Sequence, residues 1–136
     1  MTQKITWTPD MSVGVEEIDN QHKYFIGIIS DFYSALNERK IQTELGVILD
    51  KLIDYAVLHF NTEEKYFDKF NYEFKDEHKA IHQKVKQQLL DFKENFNKSG
   101  VDIVPDFMDF LTNWLVDHME SEDQKYVKCF HEHGLY

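Results

Sequence analysis

Histidines and acids stand in this chain where a helical period calls for core residues, and that pattern restricts the fold more than any other feature. His59-x-x-x-Glu63 and His78-x-x-x-His82 bracket the run HFNTEEKYFDKFNYEFKDEHKAIH, with a short Asn/Asp/Lys-rich turn between them. An α-helix advances about 100° per residue, so residues four apart share a face. If both segments are helical and antiparallel, four metal-type side chains converge in one small volume. Three neutral imidazoles and a carboxylate suit iron or zinc far better than calcium or magnesium.

The rest of the chain supplies the frame for such a site. With 136 residues it is expected to form one domain around a single core. Only 5 Gly and 2 Pro break the sequence, which favours long helices over many short strands. Apolar and polar residues alternate in steps of three and four through four segments. The first carries Ile18, His22, Phe25, Ile29, Phe32 and Leu36; the second Leu45, Leu49, Leu52, Ala56, His59, Glu63 and Phe67. The third carries Phe74, His78, His82, Val85, Leu89, Phe92 and Phe96, and the fourth Phe107, Leu111, Trp114 and His118. The connections are the polar NERKIQT (37–43), a turn over 68–73, and a stop at Ser99-Gly100 before Pro105. The expected fold is all-α, an up-down-up-down four-helix bundle, with residues 1–17 forming an N-terminal arm whose Trp7 packs on the outside.

Charge and cysteine content narrow the function. Fifteen basic residues against 25 acidic ones give a net charge of −10, which argues against nucleic acid or an anionic membrane as partner. No apolar run approaches the roughly 20 residues needed to span a bilayer, and MTQKITWTPD has no signal-like apolar segment. Cys129 has no second cysteine to pair with, so a reducing compartment, the cytoplasm, is expected.

The fourth segment loses its rhythm after His118. Continuing it predicts Glu122, Lys125 and Cys129 on the inner face, whereas the apolar residues fall at Tyr126, Val127 and Phe130. One extra residue, a π-bulge, would restore the register and turn Asp123 inward. The inward polar set is then His22, His59, Glu63, His78, His82, His118 and Asp123. Five imidazoles and two carboxylates exceed what one first-row ion takes, and two ions sharing the carboxylates fit the inventory. An apolar core would otherwise have to satisfy all seven groups unaided, at a large desolvation cost. Asp19, three residues before His22, is expected to be a helix cap or a partner of that histidine. The tail residues His131 and His133 are expected in solvent, and Cys129 as a small buried side chain.

The pattern His22, His59-x-x-x-Glu63, His78-x-x-x-His82 and His118-x-x-x-x-Asp123 resembles the hemerythrin family. The Trp7 arm, the run VGVEEIDNQH ending at His22, and Trp114-Leu115 before His118 extend the likeness over most of the chain. The resemblance implies a non-haem centre of two iron ions (Fe2+/Fe3+) with a bridging oxo or hydroxo oxygen. It places His78, His82 and His118 on one ion, His22 and His59 on the other, and Glu63 and Asp123 between them. Counting ligands leaves the first ion six-coordinate and the second five-coordinate, so dioxygen is expected at the ion held by His22 and His59. Leu115, Phe25, Ile26, Phe60 and Trp114 are expected to line a dry O2 pocket.

A ligand set with five imidazoles and two carboxylates is less anionic than that of carboxylate-rich di-iron oxidases. The Glu-x-x-His pairs of ferritin-like enzymes are absent from the sequence. Reversible O2 binding for storage or delivery, without catalysis, is therefore the expected role, with O2 and a protein recipient of it as partners. The alternatives are an O2 or redox sensor and a di-iron oxidase or iron store.

Overall fold

A computed structural model of the chain describes residues 6–39 and 42–136. Four long helices carry the fold: α1 (Glu16–Asn37), α2 (Gln42–Lys69), α3 (Lys75–Ser99) and α4 (Val104–Glu120), followed by a short α5 (Val127–Glu132). Single 3-10 turns lie at Pro9–Met11, Gly100–Ile103 and Asp123–Tyr126, and no strand occurs among the described residues. This is the expected all-α four-helix bundle. Its first five residues, and 40–41 in the first connection, lie outside the described residues.

The helix ends follow local chemistry. Glu16, Glu17 and Asp19 occupy the first turn of α1, where the helix dipole favours acids. Asn71 takes a left-handed φ of 50° after α2, and the Tyr72 N–H closes back on the Phe67 carbonyl at 2.9 Å. Gly100 does the same for α3 with φ 68°. Pro105 stands in the first turn of α4, where its missing N–H costs nothing. Phe74 departs from the expected inner face: it precedes the first residue of α3 and is 46% exposed. The chain has not yet entered the helix there, so the helical period does not govern it.

Short connections make successive helices antiparallel, and this sets the level of the site. His22 lies early in α1, His59 and Glu63 late in α2, His78 and His82 early in α3, and His118 late in α4. Alternating directions bring all of them to one end of the bundle. Toward the other end the bundle is closed by apolar packing such as Phe32 edge-on to Phe107, and Phe92 against Phe107 and Phe110. A second apolar cluster of Val13, Val15, Ile18, Phe67, Tyr72, Tyr126 and Phe130 caps the near end.

The arm is stitched to both termini of the site. Asp19 is neither a cap nor a partner of His22. Its carboxylate accepts from the Ser12 hydroxyl at 2.6 Å and from the Val13 N–H at 2.8 Å, which holds the arm against α1. Gln124 donates to the Ser12 carbonyl at 2.9 Å. Trp7 is partly buried on the core, with the Lys23 ammonium 4.5 Å from its ring centre. In the tail, His133 is exposed as expected, stacking on Phe70 from the surface, whereas His131 is half-buried and donates to the Gly14 carbonyl at 2.9 Å. Cys129 is half-buried rather than buried, because α5 lies on the bundle surface.

Candidate metal centre

All seven inward polar residues of the sequence pattern are buried, none more than 4% exposed. They form two groups that share Glu63: Glu63 with His78, His82 and His118, and His22 with His59, Glu63 and Asp123. Within each group the ligand-type atoms lie within 4.8 Å of one another. Sharing arises because Glu63 follows His59 by one turn of α2 and faces α3.

Asp123 reaches the site by a route other than the expected π-bulge. α4 ends at Glu120, where the Ser121 hydroxyl and N–H both donate to the Asp117 carbonyl, at 2.6 and 3.0 Å. The chain then tightens into the 3-10 turn Asp123–Tyr126. Residues three apart eclipse in that geometry, so Asp123 and Tyr126 point into the bundle together.

The Nε2 atoms of all five histidines turn inward. His22 Nε2 is 3.2 Å from Asp123 Oδ2, while His78 and His118 Nε2 are 3.2 and 2.8 Å from Asp123 Oδ1. His59 and His82 Nε2 are 3.4 and 3.2 Å from Glu63 Oε1. Imidazole nitrogens also face each other, at 2.9 Å for His22 and His59 and 3.1 Å for His78 and His118. Glu63 Oε1, both Asp123 oxygens and His82 Nε2 nonetheless make no hydrogen bond of ordinary geometry while fully buried. Lone pairs gathered this way, without donors to satisfy them, fit a cation in the middle far better than a self-contained polar core.

Two outer contacts fix ring orientation. His59 Nδ1 donates to Gln21 Oε1 at 2.8 Å, and His82 Nδ1 to Glu64 Oε2 at 2.9 Å. With the proton held on Nδ1, Nε2 carries the lone pair that a metal requires. Tyr126 donates to Glu63 Oε2 at 2.6 Å and leaves Oε1 facing the histidines. Burial, then the charges of Glu63 and Asp123, push the Tyr126 hydroxyl well above its usual range, so it remains a donor at any working pH. Sequence periodicity does not single out Gln21 or Glu64, and it marks Tyr126 only as an apolar position, not as a donor to Glu63. The available signal was adjacency, since Gln21 precedes His22 and Glu64 follows Glu63, whereas their partners sit on other helices.

The titration behaviour follows from this crowding. Burial pushes His59 down to about 4, against the pull of Glu63. Burial also opposes charge on His82, but the nearby Glu63 carboxylate and the hydrogen bond to Glu64 override it and raise the group to about 9. Burial and Asp123 would raise Glu63, yet the neighbouring His59 and His82 hold it near 2. Asp123 is held well below the usual carboxylate range against the same burial penalty, chiefly by His118.

Of the expected pocket residues, Phe25, Ile26, Phe60 and Leu115 are buried and Trp114 is partly buried in one apolar cluster. Phe60 stacks on His82 with ring centres 4.1 Å apart, and Trp114 stacks on His118 at 4.6 Å. These two aromatics therefore stand against the three-histidine group.

Removing the Tyr126 hydroxyl isolates one contact. A Tyr126→Phe protein is expected to lose about 1–3 kcal/mol of stability, because Glu63 Oε2 stays buried without its donor. Chemical denaturation of the metal-free protein measures this, and an unchanged midpoint would show that the contact contributes nothing.

The family model described as the hemerythrin HHE cation binding domain matches residues 13–130. A bacteriohemerythrin of Methylococcus capsulatus is 31% identical over 126 residues, covering 92% of this chain and 95% of the relative. One from Pseudomonas aeruginosa is 28% identical over 123 residues, covering 90% and 79%. A crystal structure of wild-type hemerythrin matches with a TM-score of 0.86 at 30% identity, covering 93% of this chain and 98% of that one.

Proposed function

The chain belongs to the hemerythrin family, and on that premise we propose that it binds dioxygen reversibly at two iron ions inside the bundle. The observation that carries this reading is the pair of buried ligand groups sharing one carboxylate. His78, His82 and His118 would hold one ion and His22 and His59 the other. Glu63 and Asp123 would lie between them beside an oxo or hydroxo bridge. Such a di-iron pair, when bound, supplies the two electrons that reversible O2 uptake needs.

The protein's own groups do the rest. Gln21 and Glu64 hold the rings of His59 and His82 with Nε2 inward. Tyr126 fixes the rotation of Glu63. Phe25, Ile26, Phe60, Trp114 and Leu115 would keep water from the O2 pocket, which limits proton supply and hence irreversible oxidation. Two carboxylates against five imidazoles also give a ligand set poorly suited to stabilising highly oxidised iron, which supports a carrier over an enzyme.

Oxygen storage or delivery in the cytoplasm by a single domain spanning 1–136, passing O2 to a protein recipient, is the role we favour. No helix among the described residues is long and apolar enough to cross a membrane. The direct test is optical: reduce the iron-loaded protein without air, admit O2, then remove it. An absorption band that appears with O2 and vanishes on its removal supports the reading. One-way oxidation, or sustained O2 consumption with a reductant, would overturn it in favour of an oxidase.

A further inference from the structure

The two ligand groups are not equivalently backed, and from this we infer that Glu64 makes the three-histidine pocket the tighter of two successive metal sites. This rests on the metal-binding reading of the previous section. His82, in the three-histidine group, gives its Nδ1 proton to a carboxylate: Glu64 Oε2 stands 2.9 Å away on a side chain that is only 17% exposed. His59, in the two-histidine group, gives its proton to a neutral amide, Gln21 Oε1, at 2.8 Å. His22, its companion, has a buried Nδ1 with no hydrogen-bond partner.

The amide is locked in this role. Gln21 Nε2 donates to Thr62 Oγ1 at 3.1 Å, and Thr62 in turn donates to the Leu58 carbonyl at 3.1 Å. That chain turns Oε1, not the amino group, toward His59. An imidazole hydrogen-bonded to a carboxylate is a more basic, more electron-donating ligand than one bonded to an amide. The extra negative charge of Glu64 also acts through a poorly solvated interior, where it is weakly screened. Donor strength and charge therefore both favour the pocket of His78, His82 and His118. Glu64 and Gln21 act as positioning residues through the rings they hold.

The difference is testable with cobalt(II) alone, titrated into the metal-free full-length protein. Wild type is expected to take two ions in separable steps, the first perturbing the His82 ring Nδ1–H resonance before that of His59. Glu64→Gln keeps a hydrogen-bond acceptor but removes the charge, and should weaken the first step by about 10–100-fold. Gln21→Glu should strengthen the second step and narrow the gap, with the protein's circular dichroism unchanged in both variants. If His59 responds first, or if Glu64→Gln leaves both steps at wild-type affinity, the inference is wrong while the two-ion reading stands. Weakening in Glu64→Ala but not in Glu64→Gln would likewise refute the charge effect. A wild-type protein that takes up no more than one ion would overturn the two-ion reading and this inference with it.

Discussion

A His59→Ala protein is expected to keep its fold and one metal ion but to lose the second ion and with it reversible O2 binding. His59 is one of two histidines in its group, and its Nε2 sits 2.9 Å from that of His22 and 3.4 Å from Glu63 Oε1. Without it, that pocket retains one imidazole and two carboxylates already engaged with other histidines. Affinity there should fall by more than about 100-fold, beyond what loss of an outer partner produces. The other group loses no ligand, and both apolar clusters remain to hold the bundle. Iron content near half that of wild type, with no O2-dependent absorption change, is the expected result. Full reversible O2 binding by this variant would remove His59 from the ligand set.

The metal-free protein should show a stability maximum near pH 6.5, and metal should abolish its alkaline side. His82 is raised from 6.5 to about 9, so its contribution is complete below 6.5 and is lost as pH climbs through 9. At about 1.4 kcal/mol per pH unit that loss is about 3 kcal/mol. His118 is raised as well, by Asp123 against the burial penalty, and adds to the same side. His59 is lowered to about 4, so it must stay neutral, and stability falls as pH drops from 6.5 to 4. Glu63, held near 2, adds a further loss as pH falls from about 4.5 toward 2.

Metal binding replaces protons on the histidines, so the loaded protein should be flat from pH 6.5 to 9, and uptake at pH 7 should release protons. Denaturation midpoints of both forms across this range, with proton release followed by indicator dye, test the prediction. A metal-free profile level from pH 4 to 9 would refute it.

Much of this was legible from spacing. The four helices followed from steps of three and four because burial imposes the helical period directly on the residues that face inward. His22, His59, Glu63, His78, His82 and His118 were located by the same rule, since each takes a core position in a regular helix. Asp123 faces inward as the register shift requires, although no π-bulge produces it. Period arithmetic detects a shift of register and is blind to how the backbone makes it, here by ending α4 and tightening into a 3-10 turn. Asp19, Phe74 and His131 depart from the local pattern because their surroundings are set by the arm, by a turn, or by a segment more than 100 residues away.

Local spacing along the chain suffices for the helices, the level of the site along them and the identity of the inward donors, because each depends on positions a few residues apart. Tertiary structure alone decided which donors share a group, that Tyr126 holds Glu63, and that His82 is backed by a charge while His59 is backed by an amide. Those are distances between helices of different sequence position, and no local period encodes them.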